Sequence, residues 1–441
     1  MQAFPPLPDW VSLEHSVAQI LTEQELYGWT FDEPAAWELE STIRQELESL
    51  SQLLRDRHPF IAGSRFTPKR NNQISGYVKG TGRTEEHEHC GELQVIEECS
   101  FTRLKELNPT SRDHTAWVLT THYGWKPSLI SSNGKPVVDE IVLKEIGTDI
   151  ALSFLRCLEL KKALGMISEG VNAWLKLCTT SSRIHHHCSV ATNTFRCRHN
   201  KPNVAQCPAG SEYRKLFTAS PDLWMVGADL AGIELRMLAH YLARYDGGRY
   251  ADILLNGDIH QVNADKIGIT RREVKSVSYA FLYGASNVKL GTTFDKQLSE
   301  DKARAKGKEI RKSFIAAIDG LSELLSAIKK RSATGEIMAI DGRKLLVDSP
   351  HKSLNYLLQG SAACIAKRWL YITHNTVKEA GLRAQQLAFI HDELQFECEK
   401  KDINDLKFTL EHSAAAAGEY YNLRVPIAAE SKSGLNWSEV H

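Results

Sequence analysis

The sequence predicts a mixed α+β fold of long helices and a few short strands. Leu and Trp recur at three- and four-residue spacing between charged side chains in residues 10–57 and 142–177, which predicts amphipathic helices. Residues 224–229 form a compact apolar run that ends in an aspartate. Residues 387–397 alternate around a polar centre, as a β-hairpin does.

Composition limits the possible classes of protein. The 441 residues are 42% hydrophobic, so the chain can bury a large core, and its length predicts two to four domains or subdomains. The 54 basic and 54 acidic residues balance, so binding to nucleic acid would need local basic surface. No apolar run approaches the ~20 residues of a membrane span, and the N-terminal sequence has no signal-peptide pattern. Nine scattered cysteines without a Cys-x-x-Cys pair fit reduced thiols in the cytosol.

The remaining elements follow in chain order. Residues 58–106 are rich in Gly, Pro and polar side chains and predict a long, mobile insertion. Helical periodicity resumes at 111–123, and short alternating segments in 183–203 predict strands. Residues 259–331 are helical in pattern and hold the densest positive charge of the chain, which by itself is also typical of a solvated face.

Two groups of His and Cys side chains raise the question of a metal site. Residues 87–99 contain two of each, but their spacing matches no common zinc site and a solvated loop explains them. The run HHHC at 185–188 is interpreted in the same way, as a short strand with exposed imidazoles. We therefore expect no metal at either place.

A regular stripe of cations and aromatic rings marks residues 271–284. Every fourth residue contributes to it: Arg271, Lys275, Tyr279 and Tyr283. On an α-helix this spacing places the four side chains along one broad face. Such a face suits a nucleoside triphosphate, with cations for the phosphates and rings for the sugar and base. An ordinary amphipathic surface helix is the alternative.

Two carboxylates occupy matching positions in the predicted sheet. Asp229 ends an apolar strand, and Asp392 lies at the tip of a hairpin. If these strands are neighbours, the carboxylates converge, which is costly unless divalent cations neutralise them. Two Mg²⁺ ions ~3.5–4 Å apart are the usual solution for nucleotidyl transfer. Either aspartate alone would more often be a turn or cap residue.

Together these segments resemble the three conserved motifs of the family A DNA polymerases, in their usual order. The matching segments are 229–236 for the first motif, 271–284 for the second and 391–393 for the third. Further segments are similar to podovirus-type replicative polymerases: 108–114, 168–175, 256–260 and 341–359. The resemblance runs from about residue 10 to the end, with 58–106 poorly matched.

The resemblance implies a right-hand polymerase architecture whose antiparallel palm sheet carries the catalytic carboxylates. The implied divisions are 1–185 thumb, 186–243 first part of the palm, 244–350 fingers and 351–441 second part of the palm. The implied reaction is template-directed DNA synthesis from deoxynucleoside triphosphates on a primer-template, with pyrophosphate release.

The family's functional residues transfer to this chain one by one. The resemblance implies that Asp229, Asp392 and the Leu230 carbonyl hold two Mg²⁺ ions. It implies that Arg271 and Lys275 bind the triphosphate, with Lys275 also protonating the leaving pyrophosphate.

Other implied contacts surround this centre. His260 would reach the phosphates, and Tyr283 would close the template-base side of the pocket. Four residues would contact the primer-template through minor-groove acceptors that all base pairs share: Arg196, Asn355, Gln359 and His391.

Two positions refine the expected substrate. Glu234 stands where the family has a steric gate against the ribose 2′-hydroxyl. This residue favours deoxynucleotides as substrates, and it argues against the alternative that the chain is one of the related single-subunit RNA polymerases. Tyr279 stands where the family has Phe or Tyr, and the Tyr form predicts ready incorporation of dideoxynucleotides. A non-catalytic DNA-binding subunit of the same fold is a further alternative, which the intact Asp229, Asp392 and Lys275 argue against.

The sequence also departs from the family pattern. Phe195 replaces a glycine before Arg196, which puts the local backbone geometry in question. The chain has no Asp-x-Glu pair of a proofreading exonuclease, so we expect no intrinsic 3′-5′ exonuclease activity and allow for a separate exonuclease subunit. The 58–106 insertion is expected to be a solvated loop or a site for a thioredoxin-like processivity factor. The resemblance implies that the protein replicates a phage genome in the cytoplasm of a bacterial host and does not associate with a membrane.

Overall fold

A computed structural model describes residues 7–66, 101–127, 129–131, 133–190, 192–295, 298 and 300–441. The chain divides into two compact units. The first comprises Met1–Ala36 and Val171–His441, and the second comprises Trp37–Gly170. Both units combine helices with short antiparallel ladders, so the predicted mixed α+β class is confirmed.

The α-helices in chain order are α1 (Asp9–Tyr27), α2 (Glu33–Arg57), α3 (Arg112–Tyr123), α4 (Glu140–Ile146), α5 (Asp149–Leu164), α6 (Trp174–Leu177), α7 (Ser211–Arg214), α8 (Ile233–Asp246), α9 (Arg249–Asn256), α10 (Ile259–Ile267), α11 (Arg271–Leu282), α12 (Asn287–Phe294), α13 (Glu300–Ala317), α14 (Leu321–Ser332), α15 (Ser353–Glu379), α16 (Ile403–Tyr420) and α17 (Trp437–Val440). A π-helical turn follows α5 at Gly165–Glu169, and single 3₁₀ turns lie at Val204–Gln206, Pro350–Lys352 and Lys400–Asp402.

The strands in chain order are β1 (Trp29–Phe31), β2 (Phe60–Phe66), β3 (Phe101–Glu106), β4 (Arg183–Ile184), β5 (His187–Ser189), β6 (Arg198–Asn200), β7 (Phe217–Thr218), β8 (Leu223–Leu230), β9 (Glu336–Met338), β10 (Lys344–Leu346), β11 (Ala384–Ile390), β12 (Glu393–Glu399) and β13 (Ala429–Gly434).

The first unit is built around a four-stranded antiparallel sheet in the order β11-β12-β8-β13. Apolar side chains of β8 and β12, among them Val226 and Phe396, are buried in the same core as residues of α15 and α16. Trp369 of α15 is fully buried and donates its indole N–H to the Leu410 carbonyl of α16, 2.8 Å away. This packing fixes the ends of β8 and β12 on a rigid support.

Helix α11 begins and packs as its sequence predicts. The Thr270 hydroxyl accepts from the Glu273 backbone N–H while the Glu273 carboxylate accepts from the Thr270 N–H, a capping box. Val274, Val277 and Phe281 form its buried face. The helix ends at Leu282, so Tyr283 is its C-terminal cap and not part of the last turn.

The second unit has its own core, in which Ile61 of β2 lies among side chains of α3 and α5. Strands β2 and β3 pair in antiparallel register from Phe60↔Glu106 to Phe66↔Phe101. The prediction of an irregular segment over all of 58–106 is therefore wrong at both ends, because the buried Ile61 anchors a ladder there. The intervening residues, including the His and Cys side chains of 87–99, lie outside the described residues.

Three predicted elements of the site occur in the fold, and one prediction about the 185–188 segment does not hold. The strand at 224–228, the hairpin at 387–397 and the helix starting at Arg271 are confirmed. The exposed imidazoles predicted for 185–188 are wrong for His186, which is 1% exposed because alternate residues of this segment face the core. In the described part of the chain, no helix is long and apolar enough to cross a membrane. The functional names thumb, palm and fingers stay predictions.

Candidate active site

Asp229 and Asp392 are brought together at one end of the central sheet. Asp229 lies opposite Glu393 in the β8-β12 register, one residue from Asp392. The backbone N–H of Leu230 donates to the Asp392 carbonyl oxygen at 3.0 Å, which joins the end of β8 to the hairpin turn. The turn itself is the pair His391-Asp392, with His391 in the left-handed region at φ +60°. The convergence predicted from the sequence is confirmed.

The two carboxyl groups are held in an environment that disfavours their charge. Burial, and then the negative charges of Asp229 and Glu234, raise the pKa of Asp392 to about 7. Burial and the nearby Glu393 raise the pKa of Asp229 to about 6, although its side chain keeps access to solvent. The site therefore gathers more negative charge than its own cations neutralise, which is the condition that a bound divalent cation relieves.

Glu393 is a third carboxylate near this point, and it has a different environment. It is buried and accepts hydrogen bonds from the Trp437 indole N–H and the Gln395 amide, both at 2.6 Å. His441 Nδ1 lies 3.2 Å from its other oxygen. Glu393 is thus tied to residues of the sheet and of α17. The alternation of the hairpin places the Glu393 side chain on the buried face. Its hydrogen-bond partner Trp437 is distant in sequence, so the sequence did not identify Glu393 as a buried, hydrogen-bonded carboxylate.

Glu234 joins three elements beside the aspartates. It lies in the first turn of α8 and accepts a hydrogen bond from Arg196 at 2.7 Å and from the Tyr283 hydroxyl at 3.0 Å. Its side chain is 12% exposed and that of Arg196 is 21% exposed, so the pair is shielded from most solvent. Glu234 therefore has a fixed position between the β5-β6 segment and the end of α11.

The outer face of α11 carries the predicted stripe. Arg271 forms an ion pair with Asp258 at 2.6 Å, and Lys275 is exposed. The Tyr279 ring is half-buried, with its centroid 6.3 Å from that of His260 on α10. Burial, and then the charges of Glu234 and Asp392, raise the pKa of the Tyr279 phenol, which shows that this end of the stripe faces the carboxylates. Asp258, which also caps α10, is a participant that the sequence did not single out.

The predicted DNA contacts lie around the same centre. Asn355 of α15 is buried and donates to the Leu282 carbonyl at the end of α11, at 3.2 Å, and Gln359 follows one turn later. Burial and the nearby Arg196 lower the pKa of His391. Within the described residues, Nδ1 of His391 and Nδ1 of His260 are buried without a hydrogen-bond partner. Such atoms are available to a ligand.

The segment before Arg196 keeps the backbone geometry of a glycine despite its bulky side chain. Phe195 adopts φ +61°, in the left-handed region. Its N–H donates to the Thr192 carbonyl at 3.0 Å, and the Thr192 hydroxyl donates to the Arg196 carbonyl at 2.6 Å. The Phe195 ring centroid lies 4.7 Å from the Arg343 guanidinium carbon. The substitution is therefore accommodated by side-chain packing, and the turn is maintained.

The donor set at the sheet end consists of oxygens: two carboxylates on adjacent strand ends and the backbone around Leu230. Hard divalent cations prefer such ligands. With a cationic, aromatic helix face beside them, fold and site define an enzyme of nucleotidyl transfer.

Comparisons with known proteins identify the family. The family model described as "DNA polymerase family A" matches residues 83–439 of this chain. A DNA-directed DNA polymerase of Enterobacteria phage T3 is 32% identical over 98% of this chain and 70% of its own length, and that of Escherichia phage T7 is 31% identical with the same coverage. The chain belongs to DNA polymerase family A.

A solved structure is similar in fold. The polymerase domain of Pol1 from M. smegmatis, in complex with DNA primer-template and dNTP, aligns with a TM-score of 0.75 at 20% identity. The alignment covers 97% of this chain and 70% of that one. This likeness supports the fold, and the phage polymerases show that the relatives are enzymes of DNA synthesis.

Proposed function

We propose that this family A DNA polymerase extends a primer on a DNA template, with Asp229 and Asp392 as the metal-binding carboxylates of the nucleotidyl-transfer site. The observation that carries the proposal is the junction of the two strand ends. There, both aspartates have raised pKa values, and Asp392 lies near Tyr279 of the cationic helix α11.

The metal is proposed to be Mg²⁺, with two ions held by Asp229, Asp392 and the Leu230 carbonyl. Family A polymerases use divalent metal ions, and the oxygen-only donor set favours Mg²⁺ over softer metals. When bound, such ions would stabilise the negative charge on the attacking and leaving oxygens. The chain's own contribution is to bring the two carboxylates together at adjacent strand ends.

The cations of α11 are proposed to bind the triphosphate. Lys275 is exposed on the stripe and would protonate the pyrophosphate leaving group. Arg271 is paired with Asp258, so an incoming phosphate would compete with that carboxylate for the guanidinium. His260, whose buried Nδ1 has no partner among the described residues, would add a further phosphate contact.

The sugar is proposed to lie between Glu234 and Tyr279. Glu234 is fixed by Arg196 and Tyr283, so it would present a rigid wall to a 2′-hydroxyl and exclude ribonucleotides. The Tyr279 hydroxyl would compensate for a missing 3′-hydroxyl, which gives tolerance of dideoxynucleotides. Tyr283 would close the template-base side of the pocket.

Primer-template contacts are proposed for Arg196, His391, Asn355 and Gln359. Arg196 lies in the β5-β6 segment and His391 in the turn before Asp392, while Asn355 and Gln359 lie on α15, where Asn355 contacts the end of α11. Arg196 and His391 are near neighbours, since the charge of Arg196 lowers the pKa of His391. Donors placed here would contact minor-groove acceptors common to all base pairs and test pair geometry independently of sequence.

The biological setting is proposed from the phage relatives. Replication of a phage genome in the bacterial host cytoplasm agrees with their names. Residues 1–185 are proposed as the thumb, 186–243 and 351–441 as the palm, and 244–350 as the fingers. A processivity factor bound by 58–106 and a separate exonuclease subunit stay hypotheses.

Primer extension tests the proposal. Wild-type protein with Mg²⁺ and dNTPs should extend a labelled primer, and Asp392→Ala should reduce the rate by at least about a thousandfold. Asp405→Ala, which removes an exposed carboxylate of α16, is the matched control and should keep the wild-type rate. Extension by Asp392→Ala at the wild-type rate would disprove the assignment.

The same assay separates the alternatives. Efficient extension with rNTPs by the wild type would favour an RNA polymerase. Primer-template binding without extension in any nucleotide mixture, measured by fluorescence anisotropy, would favour a non-catalytic DNA-binding protein.

A further inference from the structure

A buried group of His and Cys side chains lies behind the active site, in the β5-β6 hairpin. His186, Cys188 and His199 are 1%, 7% and 5% exposed. One ligand atom from each lies within 4.8 Å of the other two, and Cys188 Sγ is 3.1 Å from His199 Nδ1. Three soft or borderline ligand atoms that converge away from solvent form the type of cluster that binds transition metals.

The hairpin geometry explains why these three side chains converge. Cys188 and His199 are directly opposed in the β5-β6 register. His186 directly precedes β5 and is two residues from Cys188, so alternation places its side chain on the same face. Cys197, which directly precedes β6, is also buried, but its thiol lies outside this group of converging ligand atoms.

The imidazoles are in the protonation state that a metal requires. Burial lowers the pKa of His186 to about 4 and that of His199 to about 3, so both rings are neutral at physiological pH. The Gln24 amide lies 3.1 Å from Nε2 of His186, and the Gln386 amide donates to the Gln24 oxygen at 2.7 Å.

We propose that His186, Cys188 and His199 form a buried zinc-binding site. Three protein ligands of the imidazole and thiolate types, with a fourth position left for water, are a known donor set for Zn²⁺. This donor set differs from the oxygen ligands at Asp229 and Asp392, so the two sites select different metals.

The zinc site would hold the His391-Asp392 turn in place. Cys188 Sγ lies 3.8 Å from the Phe389 carbonyl oxygen of β11. The His199 ring centroid is 5.6 Å from that of His391, the residue before Asp392. Zinc would therefore fix the back of the turn that carries Asp392, acting as a positioning element.

Metal content of the purified full chain tests the proposal. After equilibration with a slight excess of Zn²⁺ and gel filtration in Mg²⁺ buffer, elemental analysis should find about one zinc per chain. Cys188→Ser and His199→Ala should reduce this at least tenfold. Cys398→Ser is the matched control, because Cys398 is equally buried but lies in β12 outside the cluster, and it should keep the zinc.

Loss of folding in the variants must be separated from loss of ligands. His199→Cys keeps a ligand atom at the position and should retain zinc where His199→Ala does not. Reconstitution of the zinc-free wild type with Co²⁺ should give thiolate charge-transfer absorption and the intense visible bands of tetrahedral cobalt. Cys197→Ser, which changes a buried thiol outside the cluster, should leave the charge-transfer intensity unchanged.

Three results would overturn the proposal. The first is a wild type with less than about a tenth of a zinc per chain. The second is a Cys188→Ser variant that retains the metal, and the third is a Cys398→Ser variant that loses it.

Discussion

The ionised carboxylate of Asp392 destabilises the fold when no cation is bound, because its surroundings favour the neutral acid. Its pKa rises from an ordinary value near 3.8 to about 7. The folded chain therefore binds more protons here than the unfolded chain between these two values. The free energy of unfolding falls as pH rises through this window, and the loss is complete above pH 7. In the proposed function, a bound divalent cation takes the place of this proton.

Asp392→Asn should therefore be more stable than the wild type in metal-free buffer. At pH 8 the variant should gain about 1 kcal/mol in free energy of unfolding, and at pH 4 this gain should vanish. The gain is smaller than the full effect of the pKa rise because solvent reaches the site and screens the charge. Thermal or urea unfolding between pH 4 and 8 measures it. Mg²⁺ should raise the stability of the wild type and leave Asp392→Asn unchanged. A variant less stable than the wild type at pH 8 would refute this explanation.

Glu234 should exclude ribonucleotides by its volume. Glu234→Ala opens space for the 2′-hydroxyl, so its preference for dNTP over rNTP should fall about 10- to 100-fold. Glu234→Gln keeps the side-chain size while it removes the charge paired with Arg196, so its preference should stay within about threefold of wild type. Single-nucleotide incorporation with paired dNTP and rNTP measures both. Equal losses in the two variants would show that charge, and not size, sets the preference.

Tyr279 should determine acceptance of dideoxynucleotides through its hydroxyl. Tyr279→Phe removes one hydrogen-bonding group, so the incorporation of ddNTP relative to dNTP should fall about tenfold or more. Incorporation of dNTP by the same variant is the internal reference. Tyr245→Phe, at the exposed end of α8, is the matched control and should leave the ratio unchanged. Retained dideoxynucleotide tolerance in Tyr279→Phe would refute the role.

At the scale of elements, the turn before Arg196 combines backbone strain with side-chain packing. Phe195 has a φ of +61°, which costs a non-glycine residue about 1–2 kcal/mol. Its ring contacts Arg343 and the core, and this packing offsets the strain. The family's glycine and this phenylalanine are thus two solutions for one backbone conformation.

Substitution of Phe195 separates these two contributions. Phe195→Ala and Phe195→Gly both lose the ring, but only Ala keeps the strain. We expect both variants to be less stable than wild type, with Gly more stable than Ala by about 1 kcal/mol. Chemical denaturation measures the order. An alanine variant at least as stable as the glycine variant would show that the turn relaxes out of the left-handed region.

At the scale of the molecule, local sequence signals predicted the elements of the site but not their surroundings. The apolar strand before Asp229, the hairpin around Asp392 and the periodicity of α11 are each encoded within about ten residues. Such patterns depend on burial and spacing, so they can be found without the tertiary structure.

Other features depend on contacts between distant segments. His186 is covered by Gln24, 162 residues earlier in the chain, so the alternation of its own segment does not show which side chains will be buried. Glu393 has Trp437 among its partners, and the strands of the β2-β3 ladder are separated by the long segment 67–100. The sequence therefore predicted exposure for His186, irregular structure for the ladder and no particular role for Glu393, because a single segment does not show what will cover it.

The central claim is that Asp229 and Asp392 act as one metal-binding unit in nucleotidyl transfer, and a double-mutant cycle on single-nucleotide incorporation tests it most directly. Rapid-quench rates with saturating primer-template, dNTP and Mg²⁺ would be compared for wild type, Asp229→Ala, Asp392→Ala and the double variant. Each single variant should lose at least about a thousandfold, and the double variant should be hardly worse than either. A single variant within tenfold of wild type, or losses that multiply in the double variant, would contradict the account.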